Sequence, residues 1–146
     1  MAQKFIEWNS IYSVGIEIID NQHKRIFELI NEIYNTSKLD FAQFEKVRIQ
    51  LNNYANYHFR LEEKLFEITH YPQTNAHLQE HNEFREKIKQ WNEKSKKEME
   101  NELFDFLVDW LIEHILNVDM KYAPYIKKEI SNNNIDVNKI LREVDK

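Results

Sequence analysis

His58-Phe59-Arg60-Leu61-Glu62, then Tyr71-Pro72, then His77-Leu78-Gln79-Glu80-His81, is the stretch that decides the fold. It holds four of the six histidines (His58, His70, His77 and His81), and three of those fall into a helical pattern. His58 and Glu62 are four residues apart, as are His77 and His81. A helix turns about 100° per residue, so each pair lies one above the other on a single face. The residue before a proline avoids helical geometry, so Tyr71-Pro72 separates two helices. Each helix would then present a pair of potential metal ligands inward.

The flanking sequence supplies matching helices. The spacing of Ile19, His23, Ile26, Ile30 and Ile33 predicts a first helix from near Ile19 to near Lys38, with a histidine on its apolar stripe. Asp40 and Gln43 resemble a capping box for the second helix. Its stripe runs through Phe44, Val47, Leu51, Tyr54 and His58 to Leu65, and it should fade between Phe66 and His70. A third helix is expected over Thr74 to Glu93, with His77, His81, Phe84, Ile88 and Trp91 facing in. Lys94 to Lys97 reads as a turn. A fourth helix runs from Glu98 to Ile130 and carries His114 on its stripe, with Pro124 late in it. Residues 1–17 form an arm without helical period, and the tail 132–146 carries Ile140, Leu141 and Val144, enough for a short surface helix. The expected fold is all-α: one domain, an up-down-up-down antiparallel four-helix bundle over about 18–131.

Composition excludes several functions. One glycine and two prolines in 146 residues argue for long helices and against an all-β fold. The net charge of −5, with no basic tract, argues against a nucleic-acid partner. The absence of cysteine removes disulfides, thiolate metal sites and cysteine nucleophiles, so any metal must be held by histidine and carboxylate. The most apolar stretch, Leu103 to Leu116, is broken every fourth residue by Asp105, Asp109 and Glu113, which marks an amphipathic helix and not a membrane span. With no apolar leader at the start, a soluble cytoplasmic protein and a monomer are expected.

Every helix of this bundle has a histidine on its buried stripe: His23, His58, His77 with His81, and His114. Glu62 and Asp119 are placed with them. A single histidine on an apolar face is usually a core residue bonded to a carbonyl. Five of them with two carboxylates, left uncompensated, would cost roughly 1–3 kcal/mol per unpaired polar atom and more per charge. A domain stable by only about 5–15 kcal/mol could not carry that cost. Metal binding offsets it, and seven donors exceed the needs of one zinc but suit two ions of moderate softness with bridging carboxylates, iron first among them. Asp119 lies five residues after His114, about 140° away on a regular helix. A π-type bulge or a bend is therefore expected near Leu116 to Asp119.

Asp20-Asn21-Gln22-His23, His58-Phe59-Arg60-Leu61-Glu62, Tyr71-Pro72, His77-Leu78-Gln79-Glu80-His81, and Trp110-Leu111-Ile112-Glu113-His114 with Asp119 and Tyr122 together resemble the hemerythrin family, bacteriohemerythrins in particular. The resemblance covers Trp8 to about Tyr122. It implies two iron ions with a bridging oxo or hydroxo group. His77, His81 and His114 would hold one iron and His23 and His58 the other, with Glu62 and Asp119 bridging. It implies reversible dioxygen binding for transport, storage, delivery or sensing, and no enzymatic activity. An oxidase, peroxidase or oxygen-scavenging activity and iron storage are the alternatives. By resemblance and helix register, Ile26, Phe59, Trp110, Leu111 and Ile115 would wall the oxygen pocket. Tyr122 is either a hydrogen-bond donor near the site or a packed core tyrosine. Tyr57, Glu80 and Glu113 are candidates to bond the outer nitrogens of the ligand rings, and His70 is expected on the surface. The absence of a fused signalling segment favours a free-standing binder over a sensor module.

Overall fold

A computed structural model describes residues 6–37, 41–91 and 96–144. Its helices are α1 (Glu17–Ser37), α2 (Phe41–Thr69), α3 (Thr74–Trp91), α4 (Lys96–His114), α5 (Met120–Asn132) and α6 (Val137–Val144). Helix α1 packs on α2 and α4, and α3 packs on α2 and α4. That closes a square of neighbours joined in chain order, the antiparallel four-helix bundle expected from the sequence. No helix among the described residues is long and apolar enough to cross a membrane.

The described part of the arm, residues 6–16, is tied down locally. Asn9 caps a single 3-10 turn, Ser10–Tyr12, by accepting the Ile11 N–H. Asn31 on α1 clamps Ile6 from both sides, accepting its N–H at 2.8 Å and donating to its carbonyl at 2.9 Å. Asp20 accepts from the Ser13 hydroxyl and the Val14 N–H. These bonds tie the arm to α1, which begins at Glu17, two residues before the expected start at Ile19.

Helix α2 ends at Thr69, inside the expected window. His70 is exposed and takes φ +56°, the left-handed conformation of a helix C-cap, and the Tyr71 N–H closes back onto the Phe66 carbonyl. The leftover histidine is therefore where the helix is terminated. Asp40, Glu93 and the Lys94-Ser95 turn lie outside the described residues. Lys96 and Lys97, expected in that turn, belong to α4.

The expected continuous fourth helix is interrupted. Ile115–Asp119 is a π-helical turn between α4 and α5, at the irregularity the His114-to-Asp119 spacing required. Pro124 sits in the first half of α5, inside the helix. Helix α6 lies on α2 and buries Ile140.

The buried apolar residues form two clusters. One gathers Ile26, Ile30, Leu51, Phe59, Phe84, Leu107 and Leu111, and the other gathers Ile19, Leu61, Leu65, Phe66, Tyr122 and Ile126. The handover between them falls at His23 on α1, between Ile19 and Ile26. On α2 it falls around His58 and Glu62. A buried polar layer therefore crosses the bundle between two apolar halves.

Candidate metal centre

All seven sequence-predicted donors meet in that layer and all are buried, with Glu62, His81 and Asp119 having no solvent exposure. They form two overlapping groups whose donor atoms lie within 4.8 Å of one another: Glu62, His77, His81 and His114, and His23, His58, Glu62 and Asp119. Asp119 reaches both sides. Its Oδ1 is 3.1 Å from His77 Nε2 and 3.0 Å from His114 Nε2, while Oδ2 is 3.2 Å from His23 Nε2. Glu62 Oε1 is 3.0 Å from His81 Nε2 and 3.4 Å from His58 Nε2. The π-turn makes this possible, because its extra residue per turn brings Asp119 round to the side that His114 faces.

The inward donor atoms are poorly satisfied. Glu62 Oε1, both Asp119 oxygens and the Nε2 atoms of His77, His81 and His114 are buried without an aligned hydrogen-bond partner among the described residues. Nε2 of His23 and Nε2 of His58 point at each other across 3.1 Å. Buried polar atoms are almost always paired, so a set of orphans converging on one point is the signature of a ligand site.

Three side chains orient this set from outside. His58 Nδ1 donates to Gln22 Oε1 at 2.7 Å, and His81 Nδ1 donates to Glu63 Oε2 at 2.8 Å. A ring whose Nδ1 carries the proton directs its Nε2 lone pair inward. Arg85 holds Glu63 through an ion pair at 3.1 Å. The fully buried Tyr122 donates its hydroxyl to Glu62 Oε2 at 2.6 Å, so it is both a core tyrosine and a hydrogen-bond donor at the site. The sequence candidates for the outer positions sit elsewhere. Glu113 is exposed, Tyr57 stacks edge-on against Tyr54, and Glu80 lines a surface groove beside His77. Gln22 and Glu63 were not singled out from sequence, although each is the chain neighbour of a donor. A polar residue next to a donor and buried or half-buried between helices was the available signal.

Charge within the layer is strongly perturbed. Burial alone would push His77 down, but the Asp119 and Glu62 carboxylates against it outweigh burial and raise it from 6.5 to about 10. His23, against Asp119, and His81, against Glu62 and Glu63, are also raised in spite of burial. His58 goes the other way: burial dominates and lowers it to about 3. Burial would raise Glu62 and Asp119, yet the surrounding imidazoles hold both carboxyls well below the usual range. Burial, then the charge of Glu62, pushes the Tyr122 phenol well above its ordinary value. The layer thus holds two carboxylates against imidazolium, with His58 kept neutral.

Beside His23, His58 and His114 lies an apolar cavity that leaves about 10 Å³ for the centre of a water-sized molecule, room for roughly one small molecule. Ile26, Phe59, Trp110 and Leu111 are among the residues that line it, while Ile115 is fully buried in the same apolar cluster without lining it. The cavity continues along the bundle between Ile30, Leu51, Ala55, Phe84 and Leu107, which sequence reasoning missed.

Comparison with known proteins converges on one family. The model of the hemerythrin HHE cation binding domain matches residues 14–126. A bacteriohemerythrin of Clostridium acetobutylicum is 32% identical over 124 residues, 79% of this chain and 96% of that protein. A bacteriohemerythrin of Pseudomonas aeruginosa is 32% identical over 127 residues, 85% of this chain and 83% of that protein. Among solved structures, wild-type hemerythrin superposes with a TM-score of 0.76 at 26% identity, covering 83% of this chain and 97% of that one.

Proposed function

Because the chain belongs to the hemerythrin family, we propose that it binds dioxygen reversibly at a pair of non-haem irons. The observation that carries this reading is the convergence of orphaned Nε2 and carboxylate oxygen atoms in the buried layer. The donor set fits the group, since five imidazoles and two carboxylates suit two ions of intermediate softness. His77, His81 and His114 would hold one iron, His23 and His58 the other. Glu62 and Asp119 would bridge them, a role that the two-sided reach of Asp119 supports. Such a pair, with its bridging oxo or hydroxo group, supplies electrons to dioxygen on binding and recovers them on release.

The chain's own residues would make that exchange reversible. Gln22 and Glu63 fix the tautomers of His58 and His81, so their Nε2 lone pairs stay directed inward. The cavity lies against His23, His58 and His114, so a small guest in it would reach the side with fewer protein ligands, that of His23 and His58. Ile26, Phe59, Trp110 and Leu111 exclude water there, and none of them carries an acidic proton. With no acidic proton at hand, this lining would favour release of dioxygen over release of hydrogen peroxide.

The test is an anaerobic iron count followed by an optical oxygen titration. Two irons per chain, with a charge-transfer band that appears under oxygen and vanishes under argon, are expected. Rapid irreversible oxidation with released peroxide would overturn reversible binding, and one metal or none would overturn the site.

A further inference from the structure

The metal layer has two approaches of opposite chemistry. The apolar cavity beside His23, His58 and His114 leaves about 10 Å³ for the centres of water-sized molecules. A surface groove reaches the layer elsewhere and leaves about 90 Å³ for the same centres. Ala76, His77 and Glu80 on α3, Val118 of the π-turn and Lys121 on α5 line it. His77 belongs to both the groove and the layer: its ring lines the groove, and its Nε2 stands 3.1 Å from Asp119 Oδ1. The ring is therefore a partition between the two. Glu80 is half-buried and follows His77 by three residues, so the two share a helix face. The Glu80 and Lys121 side chains have no hydrogen-bond or ion-pair partner among the described residues, and they do not pair with each other. An unpaired carboxylate thus stands in a wet groove against a ligand histidine.

We propose that this groove is the door by which a divalent metal ion enters and leaves the layer, with Glu80 as its docking carboxylate, while dioxygen uses the apolar cavity. The route rests on the di-iron reading. A divalent ion travels with a shell of water. Stripping that shell against the apolar walls of the cavity would leave the charge uncompensated in a low dielectric. The cavity has room for roughly one small molecule, which suits an uncharged gas. The groove admits several waters, so an ion can arrive hydrated, and Glu80 compensates part of its charge before the first water is lost. Beyond the His77 ring lie the Glu62 and Asp119 carboxylates, which draw a cation inward. The passage runs beside Val118, where the helical bonding between α4 and α5 is irregular. A small opening of that turn clears the way without unpacking either apolar cluster. Lys121 lines the same groove and repels a cation, so the two charges of the door predict effects of opposite sign.

The experiment uses the full chain loaded with Co(II), with the metal counted per chain. Release into excess chelator is followed optically, and uptake is followed by stopped flow after the stripped chain has been checked for helix by circular dichroism. Release starts from the loaded chain, so the test stands whatever the stripped chain does. Ala76→Trp fills the groove from an exposed helix position. It should slow uptake and release by the same factor, roughly tenfold, and leave affinity unchanged, because a barrier on the route acts in both directions. Damage to the layer would instead speed release and weaken affinity, so the paired rates separate a blocked door from a distorted site. Glu80→Gln should slow uptake about three- to tenfold at low ionic strength, with the difference shrinking in salt. Lys121→Gln should speed uptake. Wild-type release in Ala76→Trp, or wild-type uptake in Glu80→Gln with two metals bound, would overturn the groove as the route. A chain that binds no metal would overturn the functional reading and the route with it, and the metal count separates that result from the others.

Discussion

Removing the metal should give this protein an unusual dependence of stability on pH. In the metal-free layer, His77 is raised from 6.5 to about 10 because Asp119 and Glu62 face it across 3.1 Å and 3.7 Å. A base raised on folding contributes stability that is complete below its unfolded value and is lost as pH rises toward the folded value. At about 1.4 kcal/mol per tenfold change in proton activity, His77 alone sets a ceiling of about 5 kcal/mol. His23 and His81 share the same two carboxylates, so the protons are not independent, and a loss of about 3–4 kcal/mol between about pH 6.5 and 9.5 is expected. On the acid side the sign reverses. His58, held down at about 3, resists the proton that the unfolded chain accepts near 6.5. Glu62 and Asp119, held below the usual carboxyl range, give up their contribution at still lower pH. Stability of the apoprotein should therefore peak near pH 6–7 and fall on both sides. The assay is urea denaturation followed by helical circular dichroism, in chelator, at a series of pH values. With iron bound, the imidazoles are neutral ligands, so the alkaline loss should disappear, and iron should be released as pH falls below about 6. An apoprotein as stable at about pH 9.5 as at about 6.5 would refute the assignment of imidazolium–carboxylate pairs to this layer.

Three substitutions probe other parts of the molecule. Leu111→Ala should cost about 2–4 kcal/mol by the cavity it leaves and should admit water, speeding autoxidation of the oxygenated form several-fold; an unchanged rate in an optical time course would mean that Leu111 does not gate the cavity. His70→Gly, at φ +56°, should raise stability in urea by about 0.5–1 kcal/mol without changing iron content, because glycine takes the left-handed conformation without steric cost. Asn31→Ala removes both bonds to Ile6 and should cost about 1–2 kcal/mol, with hydrogen exchange at the Ile6 amide rising more than exchange in α2.

Much of the fold and of the candidate site could be read from spacing. His58 with Glu62 and His77 with His81 announce themselves because helical periodicity is local, and imidazoles on an apolar stripe demand a reason. Asp119 could be read only as a violation. Its five-residue separation from His114 is wrong for an α-helix, and the structure resolves it with the π-turn at Ile115–Asp119. What spacing could not supply was contact between helices. Gln22 meets His58, and Glu63 meets His81, across helix boundaries, and the sequence gives no distance for either. The length of the cavity past Leu51 and Phe84 was equally hidden, since a void is the difference between packed volumes and leaves no pattern in one chain. Ile115 is a related case: register places it beside the site, and it is buried in the same apolar cluster as Ile26, Phe59 and Leu111 without lining the cavity.

Three short hydrogen bonds and two apolar clusters bear on how metal and fold are coupled. Gln22, Glu63 and Tyr122 hold donors in place through bonds of 2.6–2.8 Å. Apolar clusters close the bundle on both sides of the layer. Metal offsets the cost of the orphaned atoms, and the two apolar halves should keep the chain folded when it is stripped, unlike small metal-dependent domains whose apo form is unfolded. The cost does not vanish; it stays concentrated in the π-turn and the carboxylates it brings in. Local opening of the stripped protein should accordingly begin around Ile115–Asp119, with amide exchange there faster than in α2. Metal should slow exchange at that turn more than anywhere else in the bundle.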